Sequence, residues 1–286
     1  MTTLTEHRLR VGMRDVVLLE GPAGWGESSP IPGYPCDPAA AHAAAVEVAT
    51  RGYPARLRDR VTVNALVASA DFDPRALDGF SAVKVKMRVP ADRDLVARVR
   101  DAVGPGIDLR VDANGAWDVE TAVEVGRDLA GLGVVLFEQP VETLDDLARV
   151  RRSVSIPIAA DESIRSVDDA RRAVHLGAVD VVVIKVQPLG GVRAALEVAE
   201  AAGVPALPTS MMETSVGVLA GLALACALPE LSMGAGLATA SASAPDVTGR
   251  PLVAERGVLA WREVVPDREL LERYAVAPSS SHVVSA

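Results

Sequence analysis

Between about residues 61 and 237 the chain repeats one unit, a short run rich in β-branched residues followed by a longer amphipathic stretch. That alternation constrains the fold more than any other feature of the sequence. Parallel strands need a crossover connection and a helix is the compact way to make one, so the pattern predicts βα units on a parallel sheet. Eight strand runs can be marked, at 61–69, 82–87, 107–114, 134–141, 157–163, 179–186, 205–210 and 231–237. Helices are expected at 92–103, 119–132, 144–154, 167–176, 192–202 and 216–228, with Gly104, Gly133, Gly177 and Gly203 placed to end four of them. The segment near 74–79 reads as a shorter helix.

Eight strands with helices between them predict an α/β fold of the TIM-like barrel type, in which active sites form at the carboxyl ends of the strands. A doubly wound open sheet is the competing architecture. It would place a ligand at a switch point, and no Gly-x-Gly-x-x-Gly follows an early strand to hold a dinucleotide there. Outside the repeat, residues 15–20 are strand-like, 21–38 are rich in glycine and proline, and 38–50 form an alanine-rich helix. Residues 1–60 are therefore expected to form a small α+β capping domain and 61–250 the barrel. Residues 251–286 are expected to return to the cap, with 279–286 frayed.

With 49% hydrophobic residues in 286, the chain can bury a large core. A formal net charge of −9 and the absence of a basic run argue against a nucleic-acid or anionic-membrane surface. Cys36 and Cys226 lie far apart without metal-ligand spacing and read as reduced structural thiols in the cytoplasm. The start, MTTLTEHRLR, has no apolar signal core, and the run 216–228 is too short to cross a bilayer, so it reads as a buried helix. The expected partner is a small-molecule carboxylate, with no nucleic acid and no membrane insertion; the sequence leaves the oligomeric state open.

Three carboxylates fall at the carboxyl ends of three successive runs: Asp112 in LRVDAN, Glu138 in VLFEQP and Asp161 in IAADES. A single acidic residue there is more often a helix cap. Three in register on neighbouring strands converge, and hard oxygen donors suit octahedral Mg²⁺, for which Mn²⁺ can substitute, with positions left for water or a substrate carboxylate.

Lysine occurs only at 84, 86 and 185, so 26 of the 29 basic residues are arginine. Codon usage favouring arginine would explain the scarcity but not the positions. Arginine stays protonated and cannot act as a base, whereas a crowded lysine can. Lys84 and Lys86 share one face of the second run, with Val83, Val85 and Met87 on the other. On an edge strand such a pair is ordinary solvated charge. On a barrel strand beside a carboxylate cluster it points into the mouth, where mutual repulsion is expected to lower the proton affinity of at least one ammonium. Lys185 ends the sixth run, across that mouth. A carboxylate substrate held on the metal would lose its α-proton to a lysine on one side, while the metal and the opposite lysine stabilise the enolate charge.

In order, Lys84-x-Lys86, Asp112-x-Asn114, Glu138-Gln139-Pro140, Asp161-Glu162-Ser163 and Lys185 resemble the muconate-lactonising branch of the enolase superfamily. Within it, RVDANGAW, FEQP, IPIAADESIR, KVQPLGG and GPAGWGESSP are most similar to the dehydratases of menaquinone biosynthesis. The resemblance covers residues 14–275 and implies a (β/α)₇β barrel capped by segments from both chain ends. It also implies roles. Lys86 would remove the α-proton and return it to the departing hydroxyl, Lys185 would face the enolate ring as a cation–π partner, and Lys84 would tune Lys86. Asp112, Glu138 and Asp161 would bind Mg²⁺, supported by Asn114 and Glu162. Arg110 is expected either to hydrogen-bond near the lysine pair or to form a salt bridge inside the barrel. Thr209 and Ser210, ending the seventh run, and Gly236, in the eighth, stand where relatives hold a succinyl carboxylate.

Two other activities fit parts of this pattern. Racemisation of an N-succinylamino acid needs the same metal, with Lys86 and Lys185 as opposed bases. A ligand-binding barrel without turnover would be expected to have lost a metal ligand or a lysine, and none is lost. Dipeptide epimerases of the branch carry Asp-x-Asp at the eighth strand, and MGAGLATA has none. Relatives begin earlier, with a full strand and an arginine-containing mobile loop ahead of the stretch matching Met13–Glu20; with only twelve residues before Met13, an incomplete cap is expected.

Overall fold

A computed structural model describes residues 2–241 and 244–284. The chain opens with an antiparallel meander, β1 (Thr2–Val11), β2 (Arg14–Gly21) and β3 (Gly24–Ser28). Only the Gly12–Met13 turn joins β1 to β2, so the residues ahead of Met13 supply a full first strand and no long loop follows it. Helix α1 (Pro38–Arg51) starts at Asp37, whose side chain accepts from the Ala39 amide, with Pro38 in the first turn. It lies on this sheet at backbone distance: a Cβ on Gly26 would stand 2.0 Å from the Ala45 carbonyl oxygen, and one on Gly21 2.3 Å from that of Ala49. Glycine on the strands and alanine on the helix are what that approach requires.

The repeat follows. A short antiparallel strand, β4 (Arg60–Thr62), precedes β5 (Ala65–Val67) and β6 (Ala82–Lys86). Then come α2 (Arg93–Val103), β7 (Asp108–Asp112), α3 (Val119–Gly131), β8 (Val134–Glu138), α4 (Leu144–Arg151) and β9 (Ile158–Ala160). The unit continues through α5 (Val167–His175), β10 (Val181–Ile184), α6 (Val192–Ala202), β11 (Ala206–Pro208) and α7 (Ser215–Ala227). After it lie β12 (Val258–Ala260), α8 (Arg268–Tyr274) and β13 (Ser280–Val284). Strands β5 to β11 form one curled parallel sheet in sequential order, and β13-β1-β2-β3 form a separate antiparallel one. Asp118, Thr143, Ser166 and Thr214 cap the helices that follow them through side-chain oxygens, and Gly104, Gly133, Gly177 and Gly203 end helices with φ between 62° and 74°.

The main core lies between sheet and helices, where Val83, Val85, Val111, Phe137 and Ile184 meet Val96, Leu129, Leu147 and Val198. A smaller one, Leu136, Ala159, Val181, Val183 and Leu207, fills the inside of the curl. Helix α7 is buried along nearly its whole length, as its apolar sequence requires, and among the described residues no helix is long and apolar enough to cross a membrane.

Three expectations need correction. The run at 61–69 is two strands: β4 pairs antiparallel with β12, and only β5 joins the parallel sheet. The run at 231–237 forms no ladder; Ala235 and Gly236 make single parallel bridges to Val63 and Thr209, at the two margins of the curled sheet. Glycines at 234 and 236 account for this, since they let the segment approach Val63 and Thr209 closely without side chains to pack. Residues 280–284, expected to fray, pair with β1 from Glu6 to Thr2; Ser285 and Ala286 lie outside the described residues.

Candidate active site

The parallel register brings the site together. Lys86 on β6 pairs with Asp112 on β7, which pairs with Glu138 on β8, so three functional side chains end adjacent strands at one level. Asp161 follows β9 directly and Lys185 follows β10. Val83, Val85 and Met87 are buried in the helix-facing core, which turns Lys84 and Lys86 to the inside of the curl. One cavity at the carboxyl ends of the strands is lined by Lys84, Lys86, Lys185, Asn114, Asp161, Thr209, Ser210 and Gly236.

Ligand oxygens of Asp112, Glu138 and Asp161 all lie within 4.8 Å of one another, and the three residues are buried. Lys84 Nζ donates to Asp112 Oδ2 at 3.0 Å and to Glu138 Oε1 at 2.9 Å. Lys86 Nζ donates to the same Asp112 oxygen at 2.6 Å and to Asn114 Oδ1 at 2.9 Å. Asn114 in turn donates to Glu162 Oε1 at 2.8 Å, so a chain of hydrogen bonds holds Lys86 from Glu162. Lys185 Nζ donates to both carboxylate oxygens of Asp161.

Charge and burial set the protonation of this cluster. Burial opposes ionisation of Asp112, but the ammoniums of Lys84 and Lys86 outweigh it and hold the carboxyl well below the usual range; Lys185 does the same for Asp161. Burial alone would lower Lys84, yet the charges of Asp112 and Glu138 raise it above the ordinary lysine value. At Lys84 the neighbouring carboxylates therefore outweigh repulsion by the second lysine. Glu138 is pushed up to about 8 by burial and by Asp112. The fit of a divalent metal ion rests on the donor set: three buried carboxylates bring ligand oxygens within 4.8 Å of one another, and among the described residues Lys84 alone touches Glu138 with a balancing charge. Hard carboxylate donors, three in number and fixed on three strands, match such an ion.

Several partners of these groups were invisible in the sequence. Gln139, with φ of 38°, accepts through its side-chain oxygen from the amides of Asp161 and Ser163, fixing the turn that presents Asp161. Tyr34, on the loop between β3 and α1, donates to Asp161 Oδ1 at 2.8 Å. Arg110, in register with Lys84, forms no salt bridge among the described residues; its Nη1 donates to the Gly234 carbonyl at 2.7 Å and to Asn64 Oδ1 at 3.5 Å, tying β7 to the 231–237 segment. Leu136, opposite Arg110 on β8, leaves no acidic partner on that side, and Lys84 is taken by the carboxylates. Ser210 shares a 2.7 Å hydrogen bond with Thr239, while the Thr209 hydroxyl is buried without a partner beside Gly236. A deeper network joins β3 to the start of α7, in which Glu27 accepts from Ser29, the Thr214 amide and the Gly217 amide, close to Glu213.

A curled parallel sheet with a small antiparallel domain, three carboxylates ending adjacent strands and lysines on both sides of them define a metal-assisted enolising enzyme. Residues 67–268 match the family described as enolase C-terminal domain-like and residues 6–49 the one described as enolase N-terminal domain-like, so the chain belongs to the enolase superfamily. Its relatives narrow the class. The o-succinylbenzoate synthase of Thermobifida fusca is 46% identical over 280 residues, covering 94% of this chain and 88% of that protein. That of Mycolicibacterium smegmatis is 43% identical over 267 residues, covering 90% and 83%. Among solved structures, muconate cycloisomerase from Pseudomonas fluorescens superposes with a TM-score of 0.82 at 25% identity, covering 96% of this chain and 98% of that one.

Proposed function

We propose that this protein catalyses the o-succinylbenzoate synthase reaction, the syn dehydration of 2-succinyl-6-hydroxy-2,4-cyclohexadiene-1-carboxylate in menaquinone biosynthesis. The observation that carries the reading is the register Lys86–Asp112–Glu138 across adjacent strands, with Asp161 and Lys185 facing the same cavity. Relatives bearing that name align over more than nine-tenths of the chain. We also read the curled sheet as a (β/α)₇β barrel closed by the 231–237 segment, on the strength of its bridges to Val63 and Thr209. The free thiols Cys36 and Cys226 fit a reducing, cytoplasmic setting.

Asp112, Glu138 and Asp161 would hold Mg²⁺, or Mn²⁺ in its place, which supplies positive charge to the substrate carboxylate as its α-carbon becomes acidic. Lys86, in its amine form, takes the α-proton at Nζ, and the C–H electron pair moves into the enolate. The same proton, now on the Lys86 ammonium, goes to the departing hydroxyl as the carbon–oxygen bond breaks. Water leaves, and the ring becomes aromatic, which drives the step forward. Asn114 and Glu162 keep Lys86 aimed, and Lys84 neutralises Asp112 and Glu138 beneath it. Lys185 places its charge against the enolate ring from the other wall. The unpartnered Thr209 hydroxyl, with Ser210 and the side-chain-free Gly236, receives the succinyl carboxylate.

A second reading, N-succinylamino acid racemisation, rests on Lys86 and Lys185 lining one cavity from the ends of β6 and β10, with β7, β8 and β9 between them in the sheet. A direct comparison separates them. Dehydration is followed alongside α-proton exchange of N-succinylamino acids in deuterated water. Dehydration should dominate; fast exchange with negligible dehydration would replace the first reading by the second.

A further inference from the structure

Tyr34 belongs to the capping region, yet its side chain ends in the carboxylate cluster. Its hydroxyl lies 2.8 Å from Asp161 Oδ1, 3.0 Å from Lys185 Nζ and 3.1 Å from Arg165 Nη2. Ammonium and guanidinium groups only donate hydrogen bonds, so the hydroxyl must accept from both and has one proton left to give. That proton goes to Asp161. The ring is fixed as well, with the Arg165 guanidinium 5.0 Å and Lys185 Nζ 4.8 Å from its centroid. Arg165 also donates to the main-chain oxygen of Asp161 at 3.0 Å, so side chain and backbone of this residue are gripped from one direction.

We propose that Tyr34 is a positioning residue for the metal site: by donating to Asp161 Oδ1 from the cap, it sets the orientation of that carboxylate and with it the affinity for the divalent ion. The inference rests on the reading of Asp161 as a metal ligand. Lys185 also donates to both Asp161 oxygens, but its charge opposes an incoming cation, whereas the neutral Tyr34 hydroxyl can hold the carboxylate without doing so, and partners of this kind commonly set metal affinity. Tyr34 lies on the 29–37 loop and Asp161 directly after β9, so metal binding and docking of that loop favour each other reciprocally.

The test is equilibrium binding of Mn²⁺ to the full chain, read by the loss of the free-ion electron paramagnetic resonance signal, for the wild type and Tyr34→Phe. Phenylalanine keeps the ring and its cation contacts and removes only the hydroxyl. The expected result is a roughly tenfold rise in the Mn²⁺ dissociation constant, with a circular dichroism spectrum of the metal-free variant that matches the wild type. A rise below threefold overturns the inference. A wild type that binds no Mn²⁺ overturns the metal site itself, which keeps the two failures distinct. Should Tyr34→Phe fail to fold, fluorine NMR of the 3-fluorotyrosine-labelled wild type decides, since the chain has only three tyrosines. The Tyr34 line, assigned from the Tyr53→Phe/Tyr274→Phe double variant, should move in step with Mg²⁺ saturation; a line that stays fixed overturns the proposal.

Discussion

Glu213 is fully buried beneath the loop that carries Met211 and Met212 into the cavity, and burial followed by the neighbouring Glu27 charge pushes its carboxyl up to about 7 from 4.5. Glu27 accepts hydrogen bonds from Ser29, Thr214 and Gly217, which favour its ionised form, although burial still raises it; the titration of the pair is assigned to Glu213, and comparison with Glu213→Gln tests that assignment. The consequence is a pH-dependent stability. Below about pH 4.5 Glu213 is protonated in folded and unfolded chains alike and has no differential effect. Between there and pH 7 the unfolded chain releases its proton while the folded one keeps it, so stability falls as pH rises. A rise from 4.5 to about 7, at ~1.4 kcal/mol per pH unit, makes the full loss ~3 kcal/mol, most of it between pH 5 and pH 8. Glu213→Gln cannot ionise and lacks this slope. Any mismatch of the new amide with Gln187, whose Nε2 lies 3.4 Å from Glu213 Oε1, is independent of pH and cancels. Urea unfolding of both proteins should show the variant gaining about 2–3 kcal/mol on the wild type from pH 5 to pH 8. A difference that stays flat across that range would refute the assignment of the proton to Glu213.

Lys86→Arg keeps the charge at the end of β6 and removes the only amine placed as base, so dehydration should fall by at least ~10²-fold while Mg²⁺ affinity stays near that of the wild type; single-turnover kinetics with a metal titration will show both. Arg14 donates to the carbonyls of Met211, Met212 and Ser29, clamping two loops at the cavity. Arg14→Ala should therefore raise KM by about tenfold, the worth of one charged hydrogen bond, with a smaller change in kcat; steady-state kinetics measures the split. Gly26→Ala would drive a methyl group into the Ala45 carbonyl, and thermal unfolding should show a loss of about 1–3 kcal/mol or more.

The parts of this molecule that repeat locally could be read from the chain. Alternating β and helical runs place strand ends, and strand ends place Asp112, Glu138, Asp161 and Lys185; the two-residue period places Lys84 and Lys86 on one face. What could not be read depends on contacts between distant segments. Strand β13 exists because β1 offers it an edge, and nothing in SSHVV itself demands pairing. β1 carries polar residues on much of its length because its buried positions change face, Leu4 meeting α1 and Leu9 the core under α7. Tyr34 sits in a glycine- and proline-rich loop with no periodicity, and only the fold brings it 127 positions along the chain to Asp161. Arg110 was placed on the right face, but its partner, the Gly234 carbonyl, is a backbone atom that no side-chain pattern reveals.

The central claim is that three carboxylates and Lys86 perform one metal-assisted dehydration. Its most direct test is turnover of 2-succinyl-6-hydroxy-2,4-cyclohexadiene-1-carboxylate by protein stripped with EDTA and then titrated with Mg²⁺. The account predicts negligible turnover after stripping and a saturable return with Mg²⁺ in the wild type, with no such return in Lys86→Arg. Undiminished turnover by the stripped protein, or full recovery in the variant, would contradict it.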